Sequence, residues 1–145
     1  IPLEDFYIDY LKTAVASDEI VTELQVPNPT PHSGSDYHKE RVRAIDSPIA
    51  SIAAAISLDA GLNIITAARI VLQAVGPSPI RARESEKFLI GDSARDTLVD
   101  EAAAMAATEA RPIGDVYGSA EYKREMIKVV ARYVIPRAIK RAKAA

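Results

Sequence analysis

Gly76-Pro77-Ser78-Pro79 splits the chain into two stretches of different period, and this split limits the fold more than any other feature. Two prolines and a glycine within four residues cannot carry on a ladder of backbone hydrogen bonds. Ahead of them, apolar residues alternate at a period of two. Behind them, apolar residues recur at helical spacing. Strands first and helices after predict an α+β sandwich, an antiparallel sheet of three to four strands packed against three helices. At 145 residues the chain is long enough for a single domain, 1–145, with a real core.

Along the chain, residues 1–17 mix aromatics with charges and predict an irregular opening with room for one helical turn. Glu19 to Val26 alternates, with Ile20, Thr22, Leu24 and Val26 against Val21, Glu23 and Gln25. That predicts a first strand, ended by Pro27, Pro29 and Pro31. A second strand is expected over Tyr37–Arg43. A third covers Ile49–Leu58, with Ile52, Ala54, Ile56 and Leu58 on one face and only Ser51, Ala53, Ala55 and Ser57 on the other. Its alanines favour helix. The period of two and the following Asp59-Ala60-Gly61 favour a hairpin. The fourth strand, Leu62–Val75, places Leu62, Ile64, Thr66, Ala68, Ile70 and Leu72 on one face. Both of its faces are rather apolar, so a central place in the sheet is expected.

Ser78 as N-cap and Pro79 at the first helical position predict a helix over 79–90, stopped by Gly91. A second helix is predicted over Ala94–Ala110, with the stripe Leu98, Ala102, Met105 and Ala106. Pro112 to Asp115 reads as a loop. A third helix runs from near Ser119 towards Ala142, with Tyr122, Met126, Val129 and Tyr133 as its stripe and a kink near Arg132 caused by Pro136.

Several function classes recede on composition. A net charge of -2 argues against a nucleic-acid binder. The chain has no cysteine, which removes disulfides, thiolate nucleophiles and cysteine-bound clusters, and fits the cytoplasm. No apolar run approaches the roughly 20 residues that span a bilayer. The histidines are His32 and His38, without a helical His/Glu pair, so no metal site is expected. There is no G-x-G-x-x-G, no Walker loop and no G-x-S-x-G elbow. The cations Arg132, Arg137, Lys140, Arg141 and Lys143 suit the C-terminal end of a helix dipole. Arg81, Arg83, Glu84, Glu86 and Lys87 read as a solvated helix face. No catalytic residue is expected.

The run Tyr37-His38-Lys39-Glu40-Arg41-Val42-Arg43-Ala44-Ile45-Asp46 holds the strongest chemistry. Tyr37 and Lys39, two apart on an extended chain, lie on the same side. Together they could cover and polarise a flat, electron-rich ligand. The plainer reading is a strand edge with its polar side in water.

An ordered set of motifs adds to this. It begins with Pro2-Leu3-Glu4-Asp5-Phe6, then Asp18 through Pro27, then Tyr37-His38-Lys39 with Arg43 and Asp46. Pro79-Ile80-Arg81-Ala82 and Glu86-Lys87-Phe88-Leu89-Ile90-Gly91 follow, and Pro112 through Glu125 closes the set. Together they resemble the C-terminal domain of the FAD-binding medium subunit of molybdenum hydroxylases, the family of aerobic carbon monoxide dehydrogenase, xanthine dehydrogenase and 4-hydroxybenzoyl-CoA reductase. The resemblance implies the same α+β fold and a role in an oxidoreductase. Electrons would pass from a molybdopterin cofactor on a large subunit, through 2Fe-2S clusters on a small subunit, to FAD and on to an acceptor. Most FAD contacts would belong to an upstream FAD-binding domain, and the present chain, opening on Ile1 as if cut from something longer, would complete the pocket without being catalytic alone. The resemblance assigns FAD contacts to three positions: Val21, Lys39 near the isoalloxazine, and Tyr37 covering the ring. Relatives usually carry arginine where this chain has Tyr117. The rival expectations are a non-enzymatic homo-oligomeric interaction domain built through the alanine-rich helices and, more weakly, an RNA-binding module using the basic last helix.

Overall fold

The computed structural model describes residues 1–93 and 96–145. A short helix α1 (Leu3–Phe6) leads into a two-stranded hairpin, β1 (Tyr7–Asp9) and β2 (Lys12–Thr13). After an extended stretch come β3 (Ser33–Glu40), β4 (Ala50–Leu58), β5 (Ile65–Gln73) and β6 (Ile80–Arg81). The helices α2 (Arg83–Leu89), α3 (Asp96–Glu109) and α4 (Ala120–Ala144) follow. The main sheet is antiparallel in the order β3-β4-β5-β6. It is an α+β architecture, with the long helices packed on one face.

That inner face carries the core. Ile52, Ile56, Ile65, Ile70 and Leu72 are fully buried, as are Ile127, Val130, Val134 and Ile135 of α4. Each such side chain contributes about 1.5–3 kcal/mol by leaving water. Small residues let the layers close up. Ala102, Ala103, Ala106 and Ala107 of α3 are buried. At Gly34 of β3, a Cβ would overlap Ala142 N and Ala138 O of α4, so only glycine admits this approach.

Polar clamps fix the layers. The Asp36 carboxylate, 5 % exposed, meets the Arg141 guanidinium at 2.7 Å and Arg137 at 3.8 Å. Arg141 also donates to the Ser35 carbonyl at 2.5 Å. The basic end of α4 therefore grips β3. Glu86 of α2 accepts from Arg81 Nε at 2.7 Å, from Arg81 Nη2 at 2.6 Å and from Ile70 N–H at 2.8 Å. Arg132 of α4 reaches Asp100 of α3 at 2.6 Å.

Several sequence expectations need correction. Glu19–Val26 forms no strand: the segment has no regular structure and no strand partner among the described residues, and Ile20, Leu24 and Val26 are 84, 69 and 77 % exposed. The pattern is right for a strand, but this chain offers it no neighbour. The second strand begins at Ser33 and stops at Glu40, short of Arg43, because the Asp46 carboxylate takes the Arg43 N–H at 3.1 Å and closes a loop. The fourth strand is shorter than read and has a register shift at Ser57/Leu58. That irregularity flips the phase, so Ile65 is buried while Thr66 is exposed.

The helix expected from Pro79 starts at Arg83 instead. Ile80 and Arg81 pair with Leu72 and Val71, and Ala82 N–H donates to Ile70 O. Ser78 is not its cap. Glu109 Oε1, from the end of α3, accepts from the Glu84 and Ser85 N–H groups at 3.2 Å each. Glu86 is buried rather than solvated. Gly91 ends this region with φ +91°, as its position after the helix suggested. The expected start of the second helix at Ala94 falls outside the described residues; α3 itself buries Leu98, Ala102 and Ala106.

The α4 start is as read, with Ser119 Oγ accepting from Tyr122 N–H at 3.1 Å. The expected stripe is not the buried one. Tyr122, Val129 and Tyr133 are 46, 37 and 54 % exposed. The helix has two apolar stripes, and the one rich in isoleucine, valine and alanine faces the sheet. No helix is long and apolar enough to cross a membrane among the described residues.

Candidate functional site

None of α2, α3 and α4 covers the outer face of the sheet; the short α1 stands over part of it. Its floor is a row of cross-strand partners: Tyr37 opposite Ala53, Ala53 opposite Val71, and Val71 opposite Arg81. The next row runs Lys39, Ser51 and Gln73. On the other side lie Ser35, Ala55 and Arg69. Strand alternation puts all these side chains on the face opposite the core. The central strand β4 offers only Ser51, Ala53, Ala55 and Ser57 there, so the middle of the face is low and flat.

A cavity of about 660 Å³ opens between this face and the N-terminal segment. Tyr37, Ala53, Val71, Arg69, Gln73 and Arg81 contribute from the sheet. Leu3, Glu4, Tyr7 and Pro27 contribute from the N-terminal side. Its size suits a small molecule or part of a cofactor. Glu4 holds this wall in place through Arg83 at 2.7 Å and Arg81 at 3.7 Å.

The electrostatics are uneven. Arg81 is neutralised by Glu86 and Glu4, and the hydrogen bonds it donates to Glu86 hold its guanidinium still more firmly protonated than usual. Lys39 and Arg69 have no ion pair among the described residues, so the face carries free positive charge at both ends of its floor. Ser51 Oγ, fully buried beside Lys39 in the register, has no hydrogen-bond partner. Tyr37 is 52 % exposed, with its ring available.

The structure thus brings Tyr37 and Lys39 to one face, but of the two only Tyr37 lines the cavity; Lys39 lies in the neighbouring row. Val21 stands apart on the extended segment, 58 % exposed, and does not line the cavity. Arg69, Val71, Gln73 and Arg81 were not foreseen as site residues. Their signal was the second face of the fourth strand, which alternates Arg69, Val71 and Gln73 opposite the buried Ala68, Ile70 and Leu72. His38 lies on the other side of β3, its Nε2 at 3.1 Å from Glu40 and its ring 6.4 Å from that of Tyr133. No group of three or more His, Cys, Asp or Glu side chains able to hold a metal occurs among the described residues.

The loop before α4 is also organised. Asp115 Oδ2 accepts from the buried Lys123 ammonium at 2.6 Å, and Oδ1 accepts from Tyr117 N–H at 2.9 Å. The Lys123 bond, seconded by that N–H, holds the Asp115 carboxyl below its usual range. At Tyr117 it is therefore the backbone that ties the loop.

Comparison with known proteins gives this geometry a setting. Residues 35–138 match the family model of the CO dehydrogenase flavoprotein C-terminal domain. The carbon monoxide dehydrogenase medium chain of Afipia carboxidovorans is 32 % identical over 139 residues, 96 % of this chain and 48 % of that protein. The glyceraldehyde dehydrogenase medium chain of Sulfolobus acidocaldarius is 34 % identical over 126 residues, 87 % of this chain and 44 % of that protein. Among solved structures, Cu,Mo-CO dehydrogenase in its cyanide-inactivated form superposes with a TM-score of 0.86 at 30 % identity, covering 94 % of this chain and 47 % of that one. The carbon monoxide dehydrogenase of Hydrogenophaga pseudoflava gives 0.89 at 26 % identity, covering 95 % and 47 %. The chain spans about half the length of the curated relatives it matches.

Proposed function

The chain belongs to the CO dehydrogenase flavoprotein C-terminal domain family, and on that premise we propose that it closes over FAD in the medium subunit of a molybdenum hydroxylase, with its outer sheet face towards the cofactor. The observation that carries this reading is the pairing of Tyr37 and Lys39 beside a central strand that offers only serine and alanine on this face. A flat ring system needs such a floor, because a larger side chain on β4 would lift it away. The residues present fit the group.

When bound, FAD supplies two-electron redox chemistry and hands the electrons on to an acceptor. Tyr37 offers its ring face for stacking. Lys39 supplies a fixed positive charge that favours an anionic, electron-rich ring over a neutral one, and Arg69 adds to that field. Val21 reaches the cofactor from the extended segment. None of these groups abstracts or donates a proton to substrate, so the domain alone is inactive. In such an assembly, set in the cytoplasm, 2Fe-2S clusters on a small subunit and molybdopterin on a large one would supply the electrons. Burial of Ala102, Ala103, Ala106 and Ala107 within this chain's own core supports the flavin reading over a homo-oligomer built through those alanines.

The test uses the whole parent flavoprotein, wild type against Lys39→Ala. We expect a bound-flavin spectrum in both and a midpoint potential lowered in the variant by on the order of 30 mV, equivalent to about 1.4 kcal/mol for a two-electron couple. Absence of flavin, or a potential unmoved by both Lys39→Ala and Tyr37→Ala, would overturn the assignment.

A further inference from the structure

Ser51 is a buried hydroxyl on the face that the long helices leave open. It has no exposed surface, and its Oγ makes no hydrogen bond among the described residues. A polar group taken out of water and left unpaired is costly, so such groups are rare in native folds. Ser51 stands between two polar neighbours on the same face. Lys39 of β3 is opposite it on one side and Gln73 of β5 on the other. Adjacent strands lie about 4.8 Å apart, so the three residues form a polar row on the order of 10 Å long. That row lies two residues along the strands from Tyr37, Ala53 and Val71, which floor the cavity, and Gln73 itself lines the cavity. The end of β5 keeps Gln73 in place. Ala74 turns the chain with φ +66°, a conformation unfavourable to a residue with a Cβ, and Val75 drops into the core. In an uninterrupted strand Val75 would follow Gln73 onto the outer face.

Taken in order, the row offers a donor, an acceptor and a donor: the Lys39 ammonium, the unpaired Ser51 Oγ and the Gln73 amide NH2. A flat ring lying over Ala53 turns one edge towards it. The complementary edge runs acceptor, donor, acceptor, which is the pattern of an imide: carbonyl, N–H, carbonyl. We propose that Ser51 and Gln73, together with Lys39, receive the imide edge of the flavin ring, with Ser51 Oγ accepting from the imide N–H and Gln73 donating to one of its carbonyls. This rests on the flavin reading and goes beyond it, because it states which edge of the ring meets β4 and which side chains position it. Directly opposed residues on neighbouring strands have Cβ atoms about 5 Å apart. Ser51 therefore gives its own proton to the Gln73 carbonyl, which turns the amide NH2 towards the ring. Lys39 and Gln73 have long stems that swing aside to admit the edge, whereas Ser51 is short and held by its strand, so it sets the position. The same arrangement accounts for serine at 51. Alanine would fill the space without leaving a hydroxyl unpaired.

The test titrates the flavin-depleted parent flavoprotein with FAD and with N3-methyl-FAD, in which a methyl group replaces the imide hydrogen, and reads flavin fluorescence. The wild type is expected to bind N3-methyl-FAD about 10-fold more weakly than FAD, the cost of leaving one buried acceptor unmet. Ser51→Ala should bring that ratio below about 3-fold. Gln73→Ala should weaken both flavins severalfold and about equally, since both carry the carbonyl it meets. Without flavin, Ser51→Ala should leave the melting temperature unchanged or raised, because the hydroxyl has no bond to lose. A lowered melting temperature would reveal an internal partner for Ser51 and overturn the proposal. Equal affinity of the wild type for the two flavins, or a ratio unmoved by Ser51→Ala, would overturn it while leaving the flavin reading in place. Binding of neither flavin would sink that reading, and this inference with it.

Discussion

The two faces of one sheet are built from the same strands to opposite specifications. On the inner face, β4 and β5 present Ile52, Ile56, Ile70 and Leu72, all fully buried. On the outer face, the same strands present Ser51, Ala53, Ala55, Arg69 and Gln73, with only the short α1 segment above part of them. Alternation alone makes this division possible, since neighbouring residues point opposite ways. The inner face fixes the fold, and the outer face is left low and cationic. Stability and ligand contact should therefore respond to different residues of a single strand.

That contrast can be broken most sharply from the inside. Ile70→Ala should lower unfolding stability by about 4 kcal/mol, because the closely packed core leaves a cavity behind. Chemical denaturation would read it. Glu86→Ala comes next, at about 3 kcal/mol, since it leaves Arg81 half-buried without its carboxylate and Ile70 N–H without an acceptor. Gly34→Ala follows at about 2 kcal/mol, because α4 must move off the sheet to admit a methyl group. The outer face should behave differently. Ala53→Trp is expected to change stability by no more than about 0.5 kcal/mol, yet reduce flavin retention in the parent protein severalfold on gel filtration.

The smallest effect concerns acid. Asp115 is held below the usual carboxyl value of 3.8 by Lys123, and Asp59 by the backbone N–H groups of Ile64 and Asn63. A carboxyl with a lowered folded value contributes stability that is present above its unfolded value and is lost as pH falls through the folded one. Asp115→Asn should therefore lower stability by a constant amount above about pH 4 and flatten its fall below that pH, as thermal melts across pH would show.

The inner face was largely legible in the sequence, because apolar alternation declares itself. Ile52, Ala54, Ile56 and Leu58 are buried as their spacing implies. Tyr37 and Lys39 could be placed on one side for the same reason. What stayed hidden depended on distant partners. The register shift opposite Ser57 leaves no local mark, so the start of β5, at Ile65 and Thr66, was misassigned, while Ala68, Ile70 and Leu72 are buried as their spacing implies. Ile80 and Arg81 look like the start of a helix until Glu86 and Ile70 are known to hold them on the sheet. In α4 two stripes compete, and the winner was decided by how closely Ala138 and Ala142 can approach Gly34. The expected strand at Glu19–Val26 had the right pattern, and no sequence pattern names a missing neighbour.

The clamp between Arg141 and the β3 backbone links residues 106 positions apart. A ribosome adding roughly 5–20 residues per second needs on the order of 5–20 s to cover that distance. Throughout that interval Asp36 is made but has no cation to meet, and the groove at Gly34 has no helix to fill it. The first strand of the main sheet must wait for the last turn of the chain, so the interval between them is when a nascent chain of this design most needs a chaperone.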